Sequence, residues 1–376
     1  MVADLNALSP KACPRLVVKV GSSLLVTHEG TVRRDWLATL AADIAGRVRA
    51  GQQIAIVSSG AIALGARRLA LPKGGRASLE DAQAAAATGQ IALSQVWAEL
   101  LGAQGLIAAQ MLVTLDDLEE RRRYLNAAAT LGRLMSLGAV PVINENDSVA
   151  TEEIRFGDND RLAARVAQAA AAQAVVLLSD VDGLFTANPL TDTKAALVER
   201  VERIDAAIDA MASAGSASGM GSGGMASKIA AARIATSAGI TLVIASGKID
   251  HPLAALDQGR AATLFSPERS AGARKAWLSG RLRAKGALHV DAGAARALGE
   301  GKSLLAPGVT RVDGVFARGD LVAIHGPGGG AIARGLSEYD AADAALIIGH
   351  KREDHATLLG YAPRAALVHR NQMVRA

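Results

Sequence analysis

The sequence predicts an α/β protein, a three-layer sandwich with a mainly parallel central sheet, followed by a small β-rich domain. Over the first 265 residues, short apolar runs rich in β-branched residues alternate with long Ala/Leu-rich runs of helical period. Continuous apolar strands separated by helices indicate a parallel sheet covered on both faces. From residue 266 the chain turns polar and basic, then breaks into short strands punctuated by glycine. The length supports the division: 376 residues exceed the ~250–300 at which a single core stops growing.

The expected strands are "RLVVKV" (15–20), "QIAIVS" (53–58), "GLIAAQMLV" (105–113), "GAVPVIN" (138–144), "AVVLLSD" (174–180) and "ITLVIAS" (240–246). The expected helices lie between them, at 31–50, 78–102, 121–137, 158–172 and 226–238. "ASAGSASGMGSGGMAS" (212–227) reads as a mobile loop. "SPERSAGARKAWLSGRLRAKG" carries no strand and suits a linker over 266–285. It divides a first domain, 1–265, from a second, 286–376, whose strands lie in "GALHV", "KSLLAPGVTRVDGVF" and "GDLVAIHGPGGGAIARG".

Half the residues are hydrophobic and a fifth are charged, an ordinary globular balance, while aromatics are only 3%. The core must therefore be Ala, Val, Leu and Ile. The N-terminus lacks a basic region followed by an apolar run, so no secretory signal is expected. The charge-free run 82–98 is rich in Gln, Ala, Ser and Thr, which excludes it as a membrane span. A single cysteine, Cys13, can form neither an intramolecular disulfide nor a Cys-based zinc site, and suits a reducing cytoplasm. The net charge is uneven: +1 over residues 1–280 and +4 over 281–376. That basic excess could favour anionic partners or simply solvate a surface.

In parallel sheets ligands bind beyond the carboxyl ends of the strands, so residues just after each strand matter most. Lys19 sits inside the first apolar strand, and Gly21, Ser22 and Ser23 follow. A lysine there is costly unless its ammonium meets an anion, and glycine lets a ligand approach the backbone. After the second strand Ser58, Ser59 and Gly60 open a helix. That is either an N-cap or an anion site. After the fourth, "INENDSVATEEIRFGDND" (143–160) holds six carboxylates and three asparagines against one arginine. Asp158, Asn159 and Asp160 either cap the next helix or belong to a cradle for cations.

Two glycine motifs fail on context. Gly219, Gly221 and Gly224 satisfy G-x-G-x-x-G, but a Ser/Ala/Gly loop precedes them instead of a strand. "GEGKS" (299–303) resembles a P-loop ending, but Arg296 stands where glycine is needed. What remains is a loop delivering Lys228 at a helix start, suited to triphosphate. Two lysines, glycine turns and an aspartate array amount to positioning plus electrostatics, which is what phosphoryl transfer requires. No triad is evident, and the seven histidines lack metal-ligand spacing.

At these residues the chain resembles the amino acid kinase family. "VVKVGSS", "VSSGAIALG", "PVINENDSVA", "FGDNDRLAARVA", "LLSDVDGLFTANP" and "GSGGMASKIAAARIA" match its motifs in order and spacing over 15–265. The C-terminal piece resembles the PUA domain. Within the family, the motifs resemble those of members that use ATP to phosphorylate the γ-carboxylate of L-glutamate, the first step of proline biosynthesis. The resemblance implies that Lys19 binds the transferring phosphate and Lys228 stabilises it from the opposite side, with Asp160 orienting both. It implies that Ser59, Asp147 and Asn159 hold glutamate. Ser179 and Asp180 would meet the nucleotide, as would Ser222, Gly223, Gly224, Met225, Ala226, Ser227 and Lys228. Where members often have Thr this chain has Ser179, which keeps the hydroxyl. Mg²⁺ would bridge the β- and γ-phosphates, with no protein ligand assigned to it. The resemblance further implies a cytoplasmic homo-oligomer, dimer or tetramer, inhibited by proline near the glutamate site.

Three rivals stand against this expectation, and the first, a regulatory protein that has lost activity, fails because Lys19, Lys228 and Asp160 are all present. Two others are more substantial. One is a kinase of the same family for another carboxylate or for carbamate, which the order of the substrate motifs opposes. The other is an RNA-binding or RNA-modifying protein acting through the PUA piece. That piece has only Phe316, Tyr339 and Tyr361 as aromatics, so stacking surfaces are scarce and RNA binding is expected to be weak.

Overall fold

An eight-stranded sheet in the order β3-β4-β2-β1-β5-β7-β8-β6 forms the centre of the first unit. The computed structural model describes residues 5–27, 30–149, 158–189, 191–214, 224–268 and 284–375. Its central strands are β1 (Arg15–Val20), β2 (Gln53–Ser58), β3 (Ile107–Val113), β4 (Ala139–Glu145), β5 (Ala174–Ser179) and β7 (Thr241–Ser246), all close to the expected runs. They pair in parallel. β8 (Ala262–Phe265) runs antiparallel to β7, and the two-residue β6 (Arg200–Val201) closes that edge.

Alternation within the strands assigns the two faces. Leu16, Val18 and Val20 of β1 and Ile54 and Ile56 of β2 share one core with Trp36, Leu37 and Leu40 of α2 (Arg34–Arg49). Leu93, Val96 and Trp97 of α4 (Leu79–Ala103) complete it. The alternate residues, Val17 and Lys19 among them, face the other layer, where α7 (Asp158–Ala169) packs against β1 and β5 and against α9 (Met225–Ser237). Helices on both faces make the expected three layers. Period 2 thus puts Lys19 on the side where the α7 and α9 N-termini begin.

Backbone contacts divide the chain into two compact units, residues 1–119 with 127–269, and 120–126 with 270–376. The second unit holds a five-stranded sheet in the order β10-β9-β11-β12-β13. β9 (Gly286–Val290), β10 (Val309–Gly314), β11 (Leu321–His325) and β12 (Ala331–Leu336) fall within the expected glycine-broken runs. Leu288, Phe316, Val322, Ile324 and Tyr339 form its separate core. Among the described residues, the helices Ala292–Gly299, Ala341–Ile347 and Arg352–Leu359 and the last strand, β13 (Met373–Arg375), were not foreseen from the sequence. Residues 215–223 of the expected loop and 269–283 of the expected linker lie outside the described residues.

Among the described residues no helix is long and apolar enough to cross a membrane. Cys13 is fully buried, and its thiol contacts the Arg15 carbonyl at 3.0 Å. Burial pushes the thiol up to about 11, outweighing the Arg47 charge, so it stays protonated and unreactive at neutral pH.

Candidate active site

The lysine that looked expensive inside β1 has its partner. Lys19 Nζ lies 2.6 Å from Asp160 Oδ1, and Lys228 Nζ lies 3.2 Å from Asp160 Oδ2. The three come from the end of β1 and the first turns of α7 and α9. Asp160 has no exposed surface, and each lysine retains 5%. Burial would raise the Asp160 carboxyl, but the two ammonium groups override it and hold the group below the ordinary carboxylate range.

One carboxylate held between two buried ammoniums leaves this trio with a net charge of +1. Buried charge is tolerated only when it is compensated. The trio stands at the carboxyl edge of a parallel sheet, where ligands bind. A Cβ added at Gly21 would stand 3.8 Å from Lys19 Nζ, so glycine keeps that ammonium approachable.

Beside the trio lies a polar network. Asn159 Nδ2 donates to Ser59 Oγ at 2.9 Å, to Asn144 Oδ1 at 3.2 Å and to the Ser58 carbonyl at 3.4 Å. This sets aside the N-cap reading of the serine turn. The helix at Ala61–Arg68, α3, is capped by Gly60 with no side-chain cap, and Ser59 turns its hydroxyl towards Asn159. Gly60 has φ +98°, a left-handed conformation that favours glycine, and this turns the chain from β2 into α3. Asn159 and Asp160 likewise direct their side chains to partners outside their own helix.

Asp147 is buried in the turn after β4. It is paired electrostatically with Arg76, whose guanidinium is held down by burial while the Asp147 charge pulls it up. Ser179, buried at the end of β5, donates to Asp180 Oδ1 at 3.1 Å, and its neighbour across the ladder is Ser246 at the end of β7. Gly224 caps α9, and Met225, Ala226 and Ser227 form its first turn ahead of Lys228. Ser222 and Gly223 lie outside the described residues. The strand ends therefore bring Lys19, Asp160 and Lys228 together, with Ser59 and Asn159 joined to each other beside them.

Sequence reading missed three participants. Arg76 meets Asp147 from the turn before α4. Gln90 accepts from Asn144 Nδ2 at 2.7 Å, and the Trp97 indole donates to Ser58 Oγ at 2.9 Å. Gln90 and Trp97 both lie on α4. The available signal was a glutamine on the apolar stripe Ala86, Leu93 and Trp97 of an alanine-rich helix, since buried polar side chains need partners.

This site and fold define a class. The amino acid kinase pattern matches residues 14–246, and a PUA domain pattern matches 286–358. The chain belongs to the amino acid kinase family. Its relatives include glutamate 5-kinase of Sphingopyxis alaskensis, 70% identical over 98% of this chain and 100% of that one. Glutamate 5-kinase of Zymomonas mobilis is 62% identical over 97% and 92%, and that of Novosphingobium aromaticivorans 60% over 96% and 96%.

Proposed function

We propose that the chain transfers the γ-phosphoryl group of ATP to the γ-carboxylate of L-glutamate, giving glutamyl 5-phosphate and ADP at the start of proline biosynthesis. One observation carries the reading: a single buried carboxylate holds two ammoniums at a sheet edge, next to a polar network made by the substrate motifs. In the transfer, a carboxylate oxygen of glutamate attacks the γ-phosphorus and the bond to the ADP oxygen breaks. Lys19 and Lys228 offset the charge spread over the transferring group, and Asp160 keeps both ammoniums aimed before it arrives. Such preorganised charge costs no rearrangement at the moment of reaction. Ser59, Asn159 and Asp147 hold glutamate. Ser179, Asp180 and residues 222–228 face the nucleotide.

The residues present suit Mg²⁺ carried mainly by phosphate and water. Mg²⁺ at a triphosphate commonly uses few protein ligands. When bound, it would neutralise charge on the β- and γ-phosphates.

The same reading places a kinase domain at 1–265, a linker at 266–285 and a PUA domain at 286–376, in a cytoplasmic homo-oligomer inhibited by proline. Exposed Ile107 on the edge strand β3 and exposed Ile91 on α4 support self-association. RNA remains a weak partner in this reading, because Phe316 and Tyr339 are buried in their core and of the three aromatics only Tyr361 is exposed. A coupled assay for ADP release with glutamate, ATP and Mg²⁺, with and without proline, tests the proposal. Faster turnover of another carboxylate or of carbamate would overturn the choice of substrate.

A further inference from the structure

The hydrogen bonds running from α4 to the substrate residues have a direction. Ser94 Oγ donates to the Gln90 carbonyl at 2.8 Å, so its lone pair is left to accept from Gln90 Nε2 at 3.2 Å. That fixes Gln90 Oε1 as the acceptor for Asn144 Nδ2, at 2.7 Å. Asn144 Oδ1 must then accept, and it does so from Asn159 Nδ2 at 3.2 Å. The Ser58 carbonyl, which can only accept, holds the Asn159 amide the same way round, at 3.4 Å.

Two groups remain at the end of this relay. Asn159 Oδ1 is buried with no hydrogen-bond partner among the described residues. Ser59 Oγ accepts from Asn159, which leaves its own hydroxyl hydrogen to be given to something else. A buried acceptor left empty is costly, so its presence calls for a donor that arrives with a ligand. One acceptor beside one donor is the complement of an ammonium beside a carboxylate.

We propose that Gln90, anchored by Ser94, is a positioning residue that sets the donor–acceptor polarity of the substrate site. It turns Asn159 Oδ1 towards the α-ammonium of the amino acid and leaves the Ser59 hydroxyl to donate to the α-carboxylate. The inference rests on the glutamate reading and adds how the α-amino group is recognised. Gln90 touches no substrate; it acts through Asn144 and Asn159.

The test compares full-length wild type with Gln90→Met, which keeps the volume and removes the acceptor, and with Ser94→Ala, a change at a half-buried surface position. The readout is the KM for L-glutamate against the Ki of glutarate, the same diacid without the amino group, at saturating ATP. In Gln90→Met the preference for glutamate over glutarate is expected to fall on the order of tenfold, the worth of one hydrogen bond to a charged group. In Ser94→Ala it falls in the same direction by less, and the KM for ATP stays unchanged in both. A merely structural lesion would weaken both diacids alike. Variants that keep the wild-type preference, or lose both diacids equally, overturn the inference. If Gln90→Met does not fold, Ser94→Ala decides alone. A wild-type chain inactive on glutamate overturns the functional reading, and this inference with it. An active wild type with an unmoved preference overturns only this inference.

Discussion

In the proposed reaction Lys228 would meet charge that grows as the phosphoryl group transfers, whereas Asp147 would meet charge already present on the substrate. Their substitutions should therefore separate kinetically. Lys228→Ala is expected to lower kcat on the order of 10²–10³-fold with little change in KM for glutamate, as for loss of other preorganised donors. Asp147→Asn should raise KM for glutamate and leave ATP binding alone. Steady-state kinetics with each substrate varied in turn checks both. Asp160→Asn removes the carboxylate that Lys19 and Lys228 share and should lower kcat and stability together. The pH dependence has a defined sign. The Asp160 carboxyl is lowered in the folded state, so its stabilisation is complete above the ordinary value of about 3.9 and fades as pH falls from there through the folded value. The gap in unfolding free energy between wild type and Asp160→Asn should hold through neutral pH and narrow only below about 4. The charged members of this site were legible in the sequence because a lysine in a strand and an aspartate array violate ordinary burial rules. Gln90 and Arg76 were not, because a neutral or surface residue violates nothing until its neighbour is known.

Helices α3 and α4 cross at two glycines. A Cβ on Gly65 would stand 1.7 Å from the Ala85 carbonyl oxygen, and one on Gly89 1.8 Å from that of Ala61. Both clashes are with backbone, so the helices themselves would have to separate. This crossing places Ser59, ahead of α3, against the network that α4 supports. Gly89→Ala should cost on the order of 3 kcal/mol, the upper range for overpacking. Gly102, in the last turn of the same helix, has open space around its Cβ position. Gly102→Ala should stabilise by up to about 1 kcal/mol through helix propensity. Urea unfolding of the two variants tests this opposition of sign. Similar costs at both positions would count against close approach as the reason for Gly89. Elements were legible where their period ran long enough. The six expected strands and the long helices were found within a few residues, whereas β6 and β8, with two and four residues, are too short to show alternation. The helices of the second unit, at 7 or 8 residues, span barely two turns and carry too little apolar stripe to stand out between strands.

The two units carry separate cores. Among the described residues, the cluster around β1, β2, α2 and α4 has no buried member beyond Leu264, and that of the second unit has none before Leu288. Every residue placed at the site, from Lys19 to Lys228, belongs to the first unit. A chain ending near Gly280 should therefore fold and phosphorylate glutamate, with kcat within a few-fold of the full chain. The change of texture at residue 266 was the sequence signal for a second set of strands, whereas the grouping of 120–126 with the second unit left no mark in the sequence. The role of the second unit was not legible, since small glycine-punctuated strands specify a scaffold and leave its partner open. Its excess charge of +4 over residues 281–376 is small, and non-specific affinity for nucleic acid scales with the number of phosphates neutralised. RNA binding by residues 281–376 should thus be weak at physiological salt and fall further as salt rises, with the domain adjusting assembly or regulation instead. Two measurements check this: kinase activity of the truncated chain, and RNA affinity of 281–376 across a salt series. A folded but inactive truncation would show that the second unit helps to build the site. Tight, salt-resistant RNA binding would make RNA a true partner of this kinase.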